Sequence, residues 1–182
     1  MSDVVGHVVR LINDVTPGEC HGRDFPGPAD VTAAVRGAVP YGRASNRPTE
    51  EEAAELAGWA ARLRQVVELV DAGNVDGACL ALNTVMRETE AVPTLSRHDG
   101  EPWHLHFHSA EAEWAVSWAA PMATALATVV GTASVERLGI CNASGCDRVY
   151  VDISRNGTRR FCSTACQNRV KAAAFRARRT AT

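Results

Sequence analysis

Residues 141–166, CNASGCDRVYVDISRNGTRRFCSTAC, contain four cysteines in two close pairs. The cysteines are Cys141, Cys146, Cys162 and Cys166, with four, fifteen and three residues between them. Zn²⁺ in proteins takes soft sulfur ligands in a tetrahedron, and each pair can supply one edge of it. We therefore predict one structural zinc ion bound by all four cysteines. A catalytic zinc would need an open position for water, which this ligand set does not leave.

The residues between the cysteines predict how the site folds. NASG at 142–145 supplies turn-forming residues for a zinc knuckle, and residues 149–152 alternate as a strand does. Asn-Gly at 156–157 is a strong hairpin-turn signal. Cys162 and Cys166 are four apart, which suits one face of a first helical turn, and the Ser-Thr pair between them suits a helix start. Knuckle, hairpin and helix in this order predict a treble-clef arrangement.

The segment after the last cysteine, QNRVKAAAFRARR at 167–179, predicts an amphipathic basic helix. Val170 and three alanines share one face, and cationic side chains with Phe175 spread over the opposite half. Such a face is typical of contact with a phosphate backbone. A solvated helix end and a membrane surface are the alternatives, although alanine offers a lipid little. The candidate nucleic-acid contacts are Arg169, Lys171, Arg176, Arg178 and Arg179.

The charge of the chain divides unequally at residue 137. Residues 137–182 contain ten Lys and Arg against two acids, a net charge of +8. Residues 1–136 contain nine Lys and Arg against nineteen acids, a net charge of −10, so that the whole chain carries −2. This asymmetry predicts two parts with different partners, an acidic domain over 1–136 and a basic zinc finger over 137–182.

Helical periodicity dominates the first part. It predicts helices over 4–14, 31–39, 49–73, 74–91 and 109–133, and a loop over 16–28. Thr49 and Glu52 form a capping box at the start of the longest helix, and Pro121 should kink the last one or divide it. The period changes to two in TLSRHDGEPWHLHFH, residues 94–108, with Asp-Gly at 99–100 as a hairpin turn. The fold class is therefore α+β, with a mostly helical N-terminal domain that includes a β-hairpin.

The C-terminal segment resembles the CGNR zinc finger, a module of bacterial proteins. The resemblance rests on Cys141, Cys146, VDISRNGTRRFCS, Cys166 and the NRV that precedes the arginine-rich end. Gln167 stands where the family typically has glycine, and three residues separate the last two cysteines where many members have four. The resemblance implies the zinc ligands named above and a DNA-binding transcription regulator of the stress-induced kind.

Residues 1–136 resemble, more loosely, the companion domain called ABATE. RLINDVTPG, the helix pair, LSRHDGEPWHLHFH and the helix that follows occur in the same order. In this interpretation the first domain is a sensor or a dimerisation unit, which leaves open a homodimer and an unidentified small-molecule effector.

Three histidines, His104, His106 and His108, share one face of a predicted strand. Alternating histidines can chelate a metal, but we predict that these bind none tightly and form a polar strand face. A small-ligand pocket beside Trp103 or Arg97 is an alternative. Because the sequence shows neither a nucleophile–base pair nor a Gly-rich phosphate loop, we do not expect an enzyme.

The function that these patterns favour is DNA binding for transcriptional control. The alternative is a non-enzymatic ligand-binding or scaffold protein whose finger packs on its own domain or on a partner, and RNA binding would use the same basic helix. An exposed basic face favours nucleic acid, whereas a helix buried against the acidic domain favours the scaffold. The start, MSDVVGHVVRLINDV, does not match a signal peptide, and no uninterrupted apolar stretch is long enough for a membrane span. We therefore expect a cytoplasmic protein without membrane contact.

Overall fold

The computed structural model of the protein describes residues 2–39, 47–97, 100, 102–109 and 111–180. The helices within these ranges are α1 (Ser2–Val15), α2 (Val31–Ala38), α3 (Glu50–Asp71), α4 (Val75–Glu88), α5 (Trp114–Val130), a 3-10 helix (Val135–Arg137) and α6 (Thr164–Thr180). The strands form three antiparallel hairpins, β1 (Gly18–Cys20) with β2 (Arg23–Phe25), β3 (Thr94–Ser96) with β4 (His104–His106) and β5 (Leu138–Ile140) with β6 (Val149–Val151). The predicted α+β class, mostly helical, is confirmed.

Helix α3 lies at the centre of the core and contacts α1, α2, α4 and α5. The predicted capping box fixes its start. The Thr49 hydroxyl accepts a hydrogen bond from the Glu52 N–H (3.2 Å), and the Glu52 carboxylate accepts one from the Thr49 N–H (2.7 Å). Leu56 and Leu63, which belong to the predicted apolar stripe, are fully buried. Burial of each such side chain contributes roughly 1.5–3 kcal/mol to folding.

Helix α5 continues from Trp114 to Val130 with Pro121 inside it, so Pro121 does not divide the helix, and a kink, the predicted alternative, stays a prediction. A proline inside a helix costs about 3 kcal/mol. The helix is apolar on most sides, with Met122 and Leu126 fully buried, and packing against α3 and α4 offsets that cost. None of the helices in the described residues is long and apolar enough to cross a membrane.

Two hairpins lie in the N-terminal part. Strands β3 and β4 form the predicted one, with Leu95 opposite Leu105, whereas Asp99 of its predicted turn lies outside the described residues. Strands β1 and β2 form a second one inside the predicted loop over 16–28. Its turn is His21-Gly22, and both residues have positive φ, 56° and 82°. Two-residue turns of this kind require positive φ at both positions, a conformation that is unusual for histidine.

One apolar core joins the helices to the segment that carries the cysteines. Leu138 of β5 and Val149 of β6 are buried in the same cluster of side chains as the helical residues. Asn13 of α1 fixes the contact, because its side chain donates to the Val149 carbonyl (2.9 Å) and accepts from the Val149 N–H (2.8 Å). Strands β5 and β6 therefore lie directly on α3 and α1.

Candidate metal centre

The four predicted zinc ligands lie together in space. The sulfur atoms of Cys141, Cys146, Cys162 and Cys166 all lie within 4.8 Å of one another. The sulfur of Cys162 lies 3.7 Å from that of Cys146 and 3.8 Å from that of Cys166. A tetrahedral Zn²⁺ with Zn–S bonds of about 2.3 Å needs sulfurs about 3.8 Å apart, so the donor set fits zinc. None of the four is in a disulfide bond, and the predicted site for one structural zinc is confirmed.

The first pair of ligands lies in a knuckle between two strands. Strand β5 ends at Ile140 and β6 begins at Val149. The Cys141 N–H donates to the Arg148 carbonyl at 3.0 Å and closes the loop between them. Gly145, inside this loop, has a φ of 67°, a conformation that favours glycine. The predicted turn over 142–145 is therefore confirmed.

Strand β6 pairs with a different partner from the one that the sequence suggested. It pairs with β5 across the knuckle, with Val149 opposite Ile140. Gly157 has the φ of 61° typical of a turn, but residues 158–163, all of them described, form no strand. Pairing with β5 places Val149 and Leu138 in the helical core, which buries apolar surface that a pairing across the polar turn would not. The treble-clef detail therefore stays a prediction.

Helix α6 carries the last ligand. Cys166 lies in its first turn, whereas Cys162 lies two residues before the helix, so the second pair does not share the first turn as predicted. Ser163 serves the predicted helix start. Its hydroxyl accepts from the Cys166 N–H at 3.3 Å, and its carbonyl accepts from the Gln167 N–H at 3.2 Å.

Burial controls the ionisation of the thiols. It raises the pKa of Cys166 to about 11 and also raises the pKa of Cys162. At neutral pH these two sulfurs keep their protons until a cation displaces them. At Cys146 burial acts in the same direction, but the backbone N–H groups of His21 and Arg148 donate to the sulfur and bring its pKa below the ordinary value. Zinc binding here therefore releases protons and becomes stronger as the pH rises.

The β1–β2 hairpin contacts the metal centre, which the sequence analysis did not predict. The Gly22 N–H donates to the Gly145 carbonyl at 2.6 Å, and the His21 imidazole lies 3.0 Å from the Ser163 hydroxyl. A Cβ on Gly145 would lie 3.0 Å from the Gly22 Cα, so the approach of the two backbones requires glycine there. Apart from Gly22, the sequence carries no clear signal for this hairpin, because His-Gly is not a favoured two-residue turn and the flanking residues do not alternate between apolar and polar.

Arg148 anchors the knuckle in the helical part of the molecule. Its side chain is almost fully buried, and its Nη1 donates to the carbonyls of Asn13 (2.8 Å) and Thr16 (2.9 Å). Its Nη2 lies 2.6 Å from the Asp147 carboxylate. Burial acts to raise the pKa of Asp147, but hydrogen bonding to Arg148 outweighs it and lowers that pKa. The buried cation is thus paired and hydrogen-bonded, as a charge in a low-dielectric site must be.

The arginines near the sulfur atoms differ in what they contact. Arg169 is half-buried, with its Nη1 at 3.9 Å from the Cys166 sulfur and its Nη2 bound to the Ser144 carbonyl. It therefore offsets part of the net charge of about −2 that four thiolates and one Zn²⁺ carry. Arg159 donates to the Cys162 carbonyl and braces the loop before α6. A nucleic-acid contact through Arg169 stays a prediction.

The other four candidate nucleic-acid contacts lie on an exposed part of α6. Residues 171–179 are all exposed. Phe175, in the middle of this stretch, is 55% exposed, and the Arg179 guanidinium carbon lies 5.9 Å from the centre of its ring. The four cationic residues are Lys171, Arg176, Arg178 and Arg179.

The three histidines form a chain of imidazoles. The Nε2 atom of His106 lies 2.7 Å from Nε2 of His104, and its Nδ1 atom lies 3.2 Å from Nε2 of His108. The contacts with His104 and His108 involve the two different nitrogens of the His106 ring. One metal ion therefore cannot bind at both contacts. Among the described residues, the cysteine cluster is the one group of three or more such donors close enough to hold a metal. That the histidines bind no metal tightly stays a prediction.

Four sulfurs around one position, a knuckle and a following helix define a zinc-binding finger. A family model of the CGNR zinc finger matches residues 137–179, which include all four ligands and α6 up to Arg179. The match confirms the resemblance of this segment, whereas the resemblance of residues 1–136 to the ABATE domain stays a prediction. A search of curated proteins finds no match to this chain.

Proposed function

We propose that this protein is a DNA-binding transcription regulator whose helix α6 contacts duplex DNA. The observation that carries the proposal is the exposure of residues 171–179 on a helix whose first turn is fixed at the metal centre. In this proposal the zinc ion holds the base of the helix in place, and the cationic side chains beyond it meet the phosphates.

The length and exposure of the helix support a role in binding. An isolated helix shorter than about 12–15 residues is only marginally stable in water. The exposed stretch 171–179 is shorter than that, and continuity with the anchored first turn maintains it. The major groove of DNA, about 12 Å wide, admits an α-helix, and docking there would add contacts with phosphates and base edges to this exposed stretch.

The distribution of charge supports phosphate as the partner. At 100° per residue, Lys171, Arg178 and Arg179 flank Phe175 on one side of α6. The opposite side carries Val170 and alanines. Lysine and arginine that neutralise phosphates release condensed counterions, which is the main source of sequence-independent affinity for DNA.

The same exposure weighs against the scaffold alternative in its simplest form. That alternative has the basic helix covered by the acidic part of the chain, whereas the residues on α6 from 170 to 179 are exposed. The part of the finger that does pack on the helical domain is the knuckle, through Arg148 and Val149. Contact with a separate partner protein, or with RNA, is then an outcome of the test.

The remaining parts of the proposal follow from the resemblance and the sequence. Residues 1–136 act as the sensor or the dimerisation unit, as expected of an ABATE domain, and α6 of each copy would meet one half-site in a homodimer. The protein acts in the cytoplasm, has no membrane partner and catalyses no reaction.

Fluorescence anisotropy of labelled duplex DNA with the full-length, zinc-loaded chain across a salt series tests the proposal. Three or four phosphate contacts predict a log–log slope of about −3 to −4, at about −0.9 per contact. Replacing Arg176, Arg178 and Arg179 by alanine should flatten the slope and weaken binding to all sequences alike.

A matched control removes three exposed arginines elsewhere, Arg10, Arg23 and Arg87, and should leave the slope unchanged if the contact is local to α6. Equal effects of the two triple variants would mean that net charge alone governs binding. Stronger binding of RNA of the same length would move the proposal to RNA. No salt-dependent binding at low salt and micromolar protein would refute the nucleic-acid proposal and leave the partner-protein alternative.

A further inference from the structure

A cavity separate from the cysteine cluster lies where the helical core meets strand β6. Its volume is about 340 Å³, and Val5, Ala125, Val129, Val151 and Ile153 supply its apolar lining. An enclosed apolar cavity of about 150 Å³ holds benzene, so this larger one, which is open to solvent, has room for two fused aromatic rings. Because its lining residues come from α1 and α5 and from the end of β6, an occupant would contact both the helices and the finger.

The charged groups at this cavity already have partners in the protein. Nη1 of Arg137 donates to the carbonyls of Asp152 (3.2 Å) and Ser154 (2.6 Å). The Asp152 carboxylate accepts from the N–H groups of Ser154 (2.8 Å) and Arg159 (2.7 Å). Hydrogen bonding from Ser154, followed by that from Arg159, lowers the pKa of Asp152 to about 2. At neutral pH the cavity thus has one cation and one anion side by side, and a charged ligand would lose its hydration without a free counter-charge.

The cavity is also lined by the hydroxyl groups of Thr128 and Ser134 and by one strongly exposed apolar side chain. The Thr128 hydroxyl donates to the Thr124 carbonyl at 2.9 Å, so that its oxygen lone pairs are left to accept from a ligand. Ile153 stands at the rim of the cavity and is 74% exposed, which is unusual for so large an apolar side chain. An apolar molecule in the cavity would cover part of that surface.

We propose that this cavity binds a neutral, mostly apolar small molecule of about the size of two fused rings, bearing one hydroxyl group. The rings lie between α5 and β6, and the hydroxyl donates to Thr128. A bound ligand would contact Val5 of α1 and Val129 of α5 together with Val151 at the end of β6. The proposal does not depend on DNA binding, since neither α6 nor a zinc ligand lines the cavity.

Isothermal titration calorimetry of the full-length, zinc-loaded chain with 2-naphthol at pH 7 tests the proposal. We expect saturable binding with one site per chain. 2-Naphthoate and 2-naphthylmethylammonium, which have the same rings with a negative or a positive charge, should each bind at least about tenfold more weakly. Absence of saturable 2-naphthol binding at millimolar concentration would overturn the proposal, and equal binding of a charged analogue would overturn the assignment of a neutral ligand.

Variants locate the site. Ile153→Asp places a charge at the rim on an exposed position, so the fold should persist while the affinity for 2-naphthol falls at least about tenfold. Leu95→Asp is the matched control, because Leu95 is similarly exposed on β3 and does not line the cavity. Val129→Phe should fill the cavity and abolish binding, with zinc content and helical circular dichroism as the check of folding. Unchanged affinity in both Ile153→Asp and Val129→Phe would place the bound molecule elsewhere and overturn the proposal.

Discussion

The knuckle half of the zinc finger, residues 138–151, and its helical half, residues 164–180, share one metal centre and differ in their surroundings. In the knuckle half, Arg148 is 3% exposed and donates to the carbonyls of Asn13 and Thr16 at the end of α1. In the helical half, residues 171–179 are exposed and carry the cations at the surface. The difference indicates that one half fixes the finger to the rest of the chain, whereas the other half exposes its charge at the surface.

This division gives the two halves different energetic roles. A buried, hydrogen-bonded cation is costly to disturb, because its removal leaves several carbonyl groups without partners. An exposed cation contributes little to stability and can be removed at almost no cost to folding. Substitutions in each half therefore test whether the two halves differ in their contribution to stability.

The largest effect is expected from the metal that the two halves share. Cys162→Ser should lose most of the zinc and unfold the finger, because metal binding free energy is folding free energy in such modules. Since Leu138 and Val149 belong to the main core, the thermal midpoint of the helices packed around it should fall as well. Elemental analysis should find about one zinc per wild-type chain.

Cys79→Ser, outside the cluster in α4, is the control and should keep its zinc. Wild-type protein without zinc, but with a 141–162 or 146–166 disulfide under reducing conditions, would contradict the assignment of the metal.

The next largest effect is expected from a substitution in the knuckle half. Arg148→Met removes the buried cation and leaves the Asn13 and Thr16 carbonyls without their donor, which should lower the free energy of unfolding by about 3 to 5 kcal/mol. Denaturant titration of the zinc-loaded protein measures the change. Arg155→Met, at an exposed position four residues after β6, should change the free energy of unfolding by less than about 0.5 kcal/mol. Similar values for both would show that the knuckle is not anchored through Arg148.

A smaller effect is expected from substitutions in the helical half. Replacing Arg176, Arg178 and Arg179 by alanine should leave zinc content intact and change the free energy of unfolding by less than about 0.5 kcal/mol, since these side chains are exposed and alanine favours helix. The same denaturant titration provides the measurement. A decrease of about 2 kcal/mol or more in the free energy of unfolding is typical of the loss of a buried contact. Such a decrease would show that these side chains of α6 support the fold, and the two halves would then not differ in their effect on stability.

The smallest effect is expected away from the finger. A His104, His106 and His108 triple alanine variant should keep the zinc content of the wild type, because the three imidazoles do not converge on one position. Elemental analysis decides the point. Loss of one metal equivalent while the four cysteines still bind theirs would reveal a second site.

The sequence predicted those features that depend on neighbours along the chain. The zinc ligands follow from short spacings, and the start of α3 follows from Thr49 and Glu52, three residues apart. Contacts between distant segments were not predictable in this way. Arg148 has the same sequence signature as an exposed arginine, and only the fold places it beside the end of α1. The Asn-Gly turn at 156–157 predicted a partner for β6 on its C-terminal side, whereas β6 pairs with β5, which buries Val149 in the core.

The hydrogen bonds between Asn13 and Val149 also constrain the order in which the protein folds. They join residues 136 positions apart, near opposite ends of the chain. Contacts of such long range are formed late, because the entropy of closing the intervening loop must be overcome first. During synthesis, the C-terminal end of α1 can pack against residues 138–149 only after those residues have left the ribosome. We therefore expect nascent chains that end before residue 149 to leave this end of α1 open to proteases, and zinc capture to be among the last steps of maturation.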